Sequence, residues 1–224
     1  MGRHTAVCLD LDDTLLTYRR GPAELLATSF EQCSVRPFFS LQEYYDRFDD
    51  FAGEFATIEA IRRACFEGIA VDHSRDPAVG RELAAAYSAE RDHANVELLP
   101  GAERVLEHLA AEHRLGLITN GPRESQSIKL EAAGIADWFD TTVFAGDGVP
   151  AKPDPEPFER ALDEIAVTAD EAVHIGDSLE SDVVGAHNAG MEAVWITEAS
   201  VSPAVEPTYR VEAVAEVLEL TPFR

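Results

Sequence analysis

The apolar run Ala6-Val7-Cys8-Leu9 leads straight into the acids Asp10, Asp12 and Asp13. Carboxylates this close repel one another and resist burial, so the stretch fits either a solvated turn or a centre where a metal ion meets reacting oxygens. Other residues able to do chemistry also follow apolar runs. Thr119 and Asn120-Gly121 come after Leu115-Gly116-Leu117-Ile118, and Lys152 lies in Ala151-Lys152-Pro153-Asp154-Pro155. Gly176-Asp177 follows Ala172-Val173-His174-Ile175, and Asp182 stands five residues further on. Singly, each has an ordinary explanation: a hydrated turn, a helix cap, an exposed cation, or acids favoured by the dipole at a helix start.

The elements that would position these residues can be read from periodicity. Residues 6–11, 115–119, 142–145, 172–176 and 193–196 are continuous apolar runs, as expected of strands buried on both faces of a parallel sheet. Helical patterns separate them, at 101–112 after Pro100-Gly101, 124–133 ending at Gly134, 155–165, and 180–189 ending at Gly190. Tyr209-Arg210-Val211 reads as a short edge strand before a last helix at 213–219. Alternation of this kind predicts an α/β fold, an open parallel Rossmann-like sheet sandwiched by helices, whose strand ends form the ligand crevice. The candidate residues all fall beyond a strand, at that end.

Residues 17–96 interrupt the rhythm with helical spacing and almost no strand-like run. The expected division is a catalytic core of residues 1–16 and 97–224 carrying an inserted all-helical cap of residues 17–96. Phe48, Phe51, Phe55 and Ile58 recur at three and four and are expected in the buried seam of a helix pair. The Pro77 region reads as a turn. Gly146-Asp147-Gly148 also reads as a turn, because it lacks the third glycine of a dinucleotide-binding fingerprint. Arg62 and Arg63 fit surface charges and anion contacts equally.

Composition excludes some partners. With 42 acidic against 18 basic side chains the net charge is −24, which would repel a nucleic-acid backbone. No apolar run approaches the roughly 18 residues of a membrane span, and Asp10 arrives before a signal-peptide apolar region could develop, so no membrane partner and a cytoplasmic location are expected. Cys8, Cys33 and Cys65 are read as free, mostly buried thiols. His108 and His113 are five apart, off a common helix face, and no H-E-x-x-H occurs, so histidine-based zinc chemistry is not expected. Lys129 and Lys152 are the only lysines. An acid-rich, lysine-poor chain matches proteins of extreme halophiles, and a halophilic source is the expectation. Oligomeric state is left open.

In order along the chain, the stretches Asp10-Leu11-Asp12-Asp13-Thr14, Leu117-Ile118-Thr119, Lys152-Pro153 and Gly176-Asp177-Ser178-Leu179-Glu180-Ser181-Asp182 resemble the four motifs of the haloacid dehalogenase-like (HAD) hydrolase superfamily. The resemblance spans the whole chain, and a helical cap between the first and second motifs is a feature of one branch. It implies a magnesium-dependent phosphatase that hydrolyses a small phosphorylated metabolite through an aspartyl-phosphate. Asp10 would be the nucleophile, with Mg²⁺ held by Asp10, Asp177 and the backbone carbonyl of Asp12. The Asp12 side chain would protonate the leaving alkoxide and then activate water. Thr119 and backbone N–H groups near Asn120 would bind phosphoryl oxygens, and Lys152 would neutralise their charge. Asp182 would orient Lys152 or a metal-bound water from outside.

The neighbouring acids and hydroxyls read differently. Asp13 reads as a solvated neighbour or as holding the turn by accepting backbone N–H bonds, Ser178 fits helix capping as well as a contact in the site, and Glu180 fits an outer metal contact or an exposed acid. Rival readings on the same scaffold are a sugar-phosphate mutase, a 2-haloacid dehalogenase and a non-catalytic binding protein. Asp12 argues against the dehalogenase, since a departing halide needs no proton.

Overall fold

The computed structural model describes residues 4–51, 57–198 and 203–223. In chain order its elements are β1 (Ala6–Leu9), β2 (Leu16–Tyr18), α1 (Pro22–Gln32), α2 (Leu41–Asp50), α3 (Ile58–Asp72), α4 (Pro77–Glu90) and β3 (Val96–Leu98). There follow α5 (Ala102–Ala110), β4 (Arg114–Asn120), α6 (Arg123–Ala133), β5 (Thr141–Ala145), α7 (Glu156–Ile165), β6 (Ala172–Gly176), α8 (Val184–Asn188), β7 (Glu192–Ile196) and β8 (Tyr209–Val211). The chain divides into two units, residues 1–19 with 93–224, and residues 20–92.

The first unit is built on a six-stranded sheet in the order β5-β4-β1-β6-β7-β8, parallel at every pairing. β1 lies in the middle, and each of its residues is buried. Period-two alternation sends its side chains to opposite faces. Val7 and Leu9 join one core with Leu115, Leu117, Val173, Ile175 and the α5 residues Val105, Leu106 and Leu109. Ala6 and Cys8 join the other with Ile118, Trp195, Ala186 and the α7 residues Phe158, Leu162 and Ile165. Each fully buried aliphatic side chain contributes about 1.5 to 3 kcal/mol of transfer free energy, which is why a strand this apolar takes the central position. The sheet is therefore α/β and Rossmann-like, with helices on both faces. The edge strand at 209–211 pairs with β7 as expected.

Two expected helices differ in detail. The segment at 180–189 is a wide π-type turn over Leu179–Val183 followed by the short α8. Asp182 N–H and Val183 N–H both bond the Ser178 carbonyl, at 2.9 and 3.3 Å, and the extra residue in this turn brings Asp182 back over the strand end. The last segment, 214–219, is a tighter 3₁₀ helix. Pro77 does not mark a turn: it opens α4, where a missing N–H costs nothing, and Asp76 caps it by accepting from Ala78 N–H at 2.8 Å. α6 ends where Gly134 predicts, at φ +69°. β2 and β3 form a separate two-stranded antiparallel sheet, and residues 17–19 and 93–96 fall in the first unit rather than in the second.

In the second unit the described elements are the helices α1 to α4. Phe30, Phe39, Tyr44, Phe66 and Tyr87 form its core with Leu25, Leu26, Ile69 and Leu83. Rings meet edge to face, Phe39–Phe66 and Tyr44–Phe66 each at 5.0 Å between centroids. Of the residues expected in the buried seam of a helix pair, Phe48 and Phe51 pack on this core at the end of α2, whereas Ile58, at the start of α3 after the Thr57 cap, is 41% exposed and takes no part in it. Phe55 lies outside the described residues.

Candidate active site

β1 delivers Asp10 to the carboxyl end of the sheet, where Asp10 N–H extends the ladder to the Ile175 carbonyl at 2.9 Å. The chain then leaves strand geometry. Leu15 and Leu16 N–H both bond the Leu11 carbonyl, at 2.9 and 3.2 Å, and Asp13 sits at φ +55°. Asp13 is exposed, as a solvated neighbour would be, and holds the turn by accepting the Thr17 hydroxyl at 2.9 Å.

Lys152 comes from the loop after β5 and is buried with its ammonium group fully engaged. It donates to Asp10 Oδ1 at 2.6 Å, Asp182 Oδ1 at 2.6 Å and the Ile118 carbonyl at 2.7 Å, one bond for each proton. The loop is fixed by Asn120, whose side chain accepts from Lys152 N–H at 2.9 Å and donates to the Lys152 carbonyl at 3.2 Å. That positioning contact was not legible in the sequence. Thr119, at the end of β4, is buried and accepts from the Gln126 amide at 2.6 Å, which leaves its own O–H to donate.

Asp182 accepts from Lys152 and from His174 Nε2 (3.0 Å) on Oδ1 and from Ser178 N–H (3.0 Å) on Oδ2. Gly176 makes room for it: a Cβ there would lie 2.3 Å from the Asp182 carboxyl carbon. Burial alone would raise the Asp182 pKa, but the Lys152 charge and the His174 contact hold it well below the usual carboxylate range. Asp177 is anchored by the Trp195 indole donating to its carbonyl at 2.8 Å and by the Thr14 hydroxyl on Oδ1 at 3.3 Å. Ser178 caps the following turn by accepting from Ser181 N–H at 3.1 Å, and Glu180 is exposed.

Asp10, Asp177 and Asp182 each offer a carboxylate oxygen, all within 4.8 Å of one another. Burial, with Asp182 and Asp177 nearby, pushes the Asp10 carboxyl up to about 7 in spite of Lys152. Burial and the same repulsion, from Asp182 and Asp13, push Asp177 up to about 6. Two unwilling carboxylates facing one space, with oxygen donors alone, suit a hard divalent cation such as Mg²⁺, whose charge would relieve both. Asp182 is already bonded on both oxygens, so Asp10 and Asp177 are the better ligands. The sequence expectation also put Asp12 at the metal through its carbonyl. Its side chain is half-buried and turned to α6, where Lys129 and Gln126 hold it. Lys129, Gln126 and His174 were not singled out from the sequence. The scarcity of lysine could have found the first.

A family model for haloacid dehalogenase-like hydrolases matches residues 4–190, and the chain belongs to that family. It is 36% identical over 124 residues to N-acylneuraminate-9-phosphatase of Mus musculus, covering 55% of this chain and 50% of that one. It is 38% identical over 148 residues to phosphoserine phosphatase of Thermus thermophilus, covering 63% and 57%. The matched region thus spans about half the length of these curated relatives. The crystal structure of the HAD-hydrolase YfnB from Bacillus subtilis, bound to magnesium, superposes with a TM-score of 0.79 at 23% identity, over 97% of this chain and 98% of that one.

Proposed function

We propose that this protein is a magnesium-dependent phosphatase that releases inorganic phosphate from a small phosphorylated metabolite through an aspartyl-phosphate on Asp10. The observation that carries the reading is the Lys152 ammonium joining Asp10 to Asp182 beside Asp177, which brings the first, third and fourth motifs to one point. The phosphatases among the chain's relatives support it, as does the magnesium in the YfnB structure.

In this reading an Asp10 oxygen attacks phosphorus as the ester oxygen departs, taking a proton from Asp12. Asp12 then accepts a proton from the water that attacks the aspartyl-phosphate, which frees phosphate and regenerates Asp10. Lys152 balances charge on the phosphoryl oxygens, and the Thr119 hydroxyl donates to one of them. Mg²⁺, held by Asp10, Asp177 and the Asp12 carbonyl, would lower the repulsion between an anionic nucleophile and an anionic substrate. Asp182 and Asn120 keep Lys152 in place. Residues 20–92 take the part of a cap that excludes water and selects the leaving group, a reading that rests on family resemblance and on their insertion between the first and second motifs.

The test is hydrolysis of p-nitrophenyl phosphate by the native protein and by Asp10→Asn, with and without Mg²⁺. The expected result is magnesium-dependent release of phosphate that Asp10→Asn lowers by about a thousandfold or more. Equal rates from the two proteins would remove the nucleophile assignment.

A further inference from the structure

Lysine occurs twice in a chain whose other cations are arginines, and both lysines are buried against an aspartate of the loop after β1. Lys152 meets Asp10, and Lys129 meets Asp12. Lys129, on α6, is 5% exposed, and its Nζ donates to both carboxylate oxygens of Asp12 at 2.7 Å. Gln126, three residues earlier and so on the same helix face, is 1% exposed. Its amide donates to Asp12 Oδ2 at 2.9 Å as well as to Thr119. The Lys129 ammonium also lies 4.8 Å from the centroid of the Tyr18 ring, and the Tyr18 hydroxyl meets His93 Nδ1 at 2.7 Å.

These contacts go beyond a surface ion pair. An exposed pair contributes little, but a cation taken out of water costs several kcal/mol unless its geometry is good, so Lys129 is not an incidental charge. A single nitrogen equidistant from two carboxylate oxygens restrains the rotation of that carboxylate, and the Gln126 amide, bonded to Oδ2, distinguishes the two oxygens. A compact ammonium can do this beside an aromatic face, where the wider arginine fork would bring donors the site does not pair. Resting on the reading of Asp12 as the group that exchanges protons, we infer that Lys129, supported by Gln126, is a positioning residue that sets the Asp12 carboxyl for both proton transfers.

The consequence separates the two chemical steps. With p-nitrophenyl phosphate the leaving phenolate needs no proton, so forming the aspartyl-phosphate does not depend on Asp12, whereas hydrolysing it does. Lys129→Met in the Mg²⁺-loaded enzyme is expected to lower kcat about 10- to 100-fold while kcat/KM changes less than about threefold, with a burst of nitrophenol before the slow steady state. In an Asp12→Asn background, Lys129→Met is expected to add no further loss, because a group that acts through another has nothing left to act on. Melting curves confirm that each variant folds, and Lys129→Gln replaces Lys129→Met if the latter does not. Native kcat in Lys129→Met, a higher kcat, or losses that multiply in the double variant would overturn the inference while leaving an inactive Asp12→Asn, and the phosphatase reading, intact. An Asp12→Asn with native kcat would instead remove the proton-transfer role of Asp12 and the inference with it.

Discussion

Asp10 and Asp177 are held where a carboxylate is least willing to ionise, pushed up to about 7 and about 6 from the ordinary value of 3.8. A folded-state pKa above the unfolded one means that the folded protein binds the proton more tightly. The stability these groups contribute is therefore present below about pH 4 and lost as pH rises through 6 to 7. A cation held by both reverses the sign of that cost. The metal-free protein is accordingly expected to lose stability between pH 5 and 7.5, and Mg²⁺ to raise its melting temperature more at pH 7.5 than at pH 5.5, where protons compete for the same oxygens. Asp177→Asn should flatten the metal-free pH dependence, add about 1 kcal/mol of metal-free stability at pH 7.5, and abolish the Mg²⁺ shift. Thermal melts at the two pH values check all three, and an undiminished Mg²⁺ shift in Asp177→Asn would count against Asp177 as a ligand.

Among the elements, α6 does more than cover the sheet. It starts directly after the Thr119-Asn120 strand end, buries Leu130 in the core, and points Gln126 and Lys129 at Asp12. Its end is set by Gly134 at φ +69°, where a Cβ would meet nothing within 4 Å, so an alanine there is opposed by backbone strain alone. Gly134→Ala is expected to cost about 1 kcal/mol in denaturant melts without changing kcat, since the strain lies at the far end of the helix from Gln126. The π-type turn at 179–183 is the counterpart after β6. A regular helix from Ser178 would carry Asp182 off the line that joins it to Lys152 and His174.

Across the molecule, 42 acids against 18 bases give a net charge of −24. Self-repulsion of this size favours the expanded chain, and salt screens it with a Debye length of about 10 Å at 0.1 M and about 3 Å at 1 M. Stability is expected to rise from low salt to molar salt, as melting in a salt series would show. Full stability at low salt would remove the halophilic reading.

How far the sequence reached follows from which interactions are local. Continuous apolar runs can be buried on both faces only in a parallel sheet with helices on each side, so the strands, their alternation with helices and the placing of Asp10, Thr119 and Asp177 at strand ends were legible from residue order. The motifs carried the family in the same way. Partners contributed by elements far apart were not legible: Asn120 gripping the Lys152 backbone, His174 under Asp182, Gly176 yielding its Cβ space, and Lys129 on Asp12. The exposure of Ile58 was not legible either, because apolar residues at helical spacing read as a buried seam whether or not a neighbour covers each of them. Periodicity reports which face of an element meets the core. Which side chain of another element waits there is decided only when the chain closes, because burial leaves each charged group the choice of a partner or a large desolvation cost, and the fold alone supplies the partner.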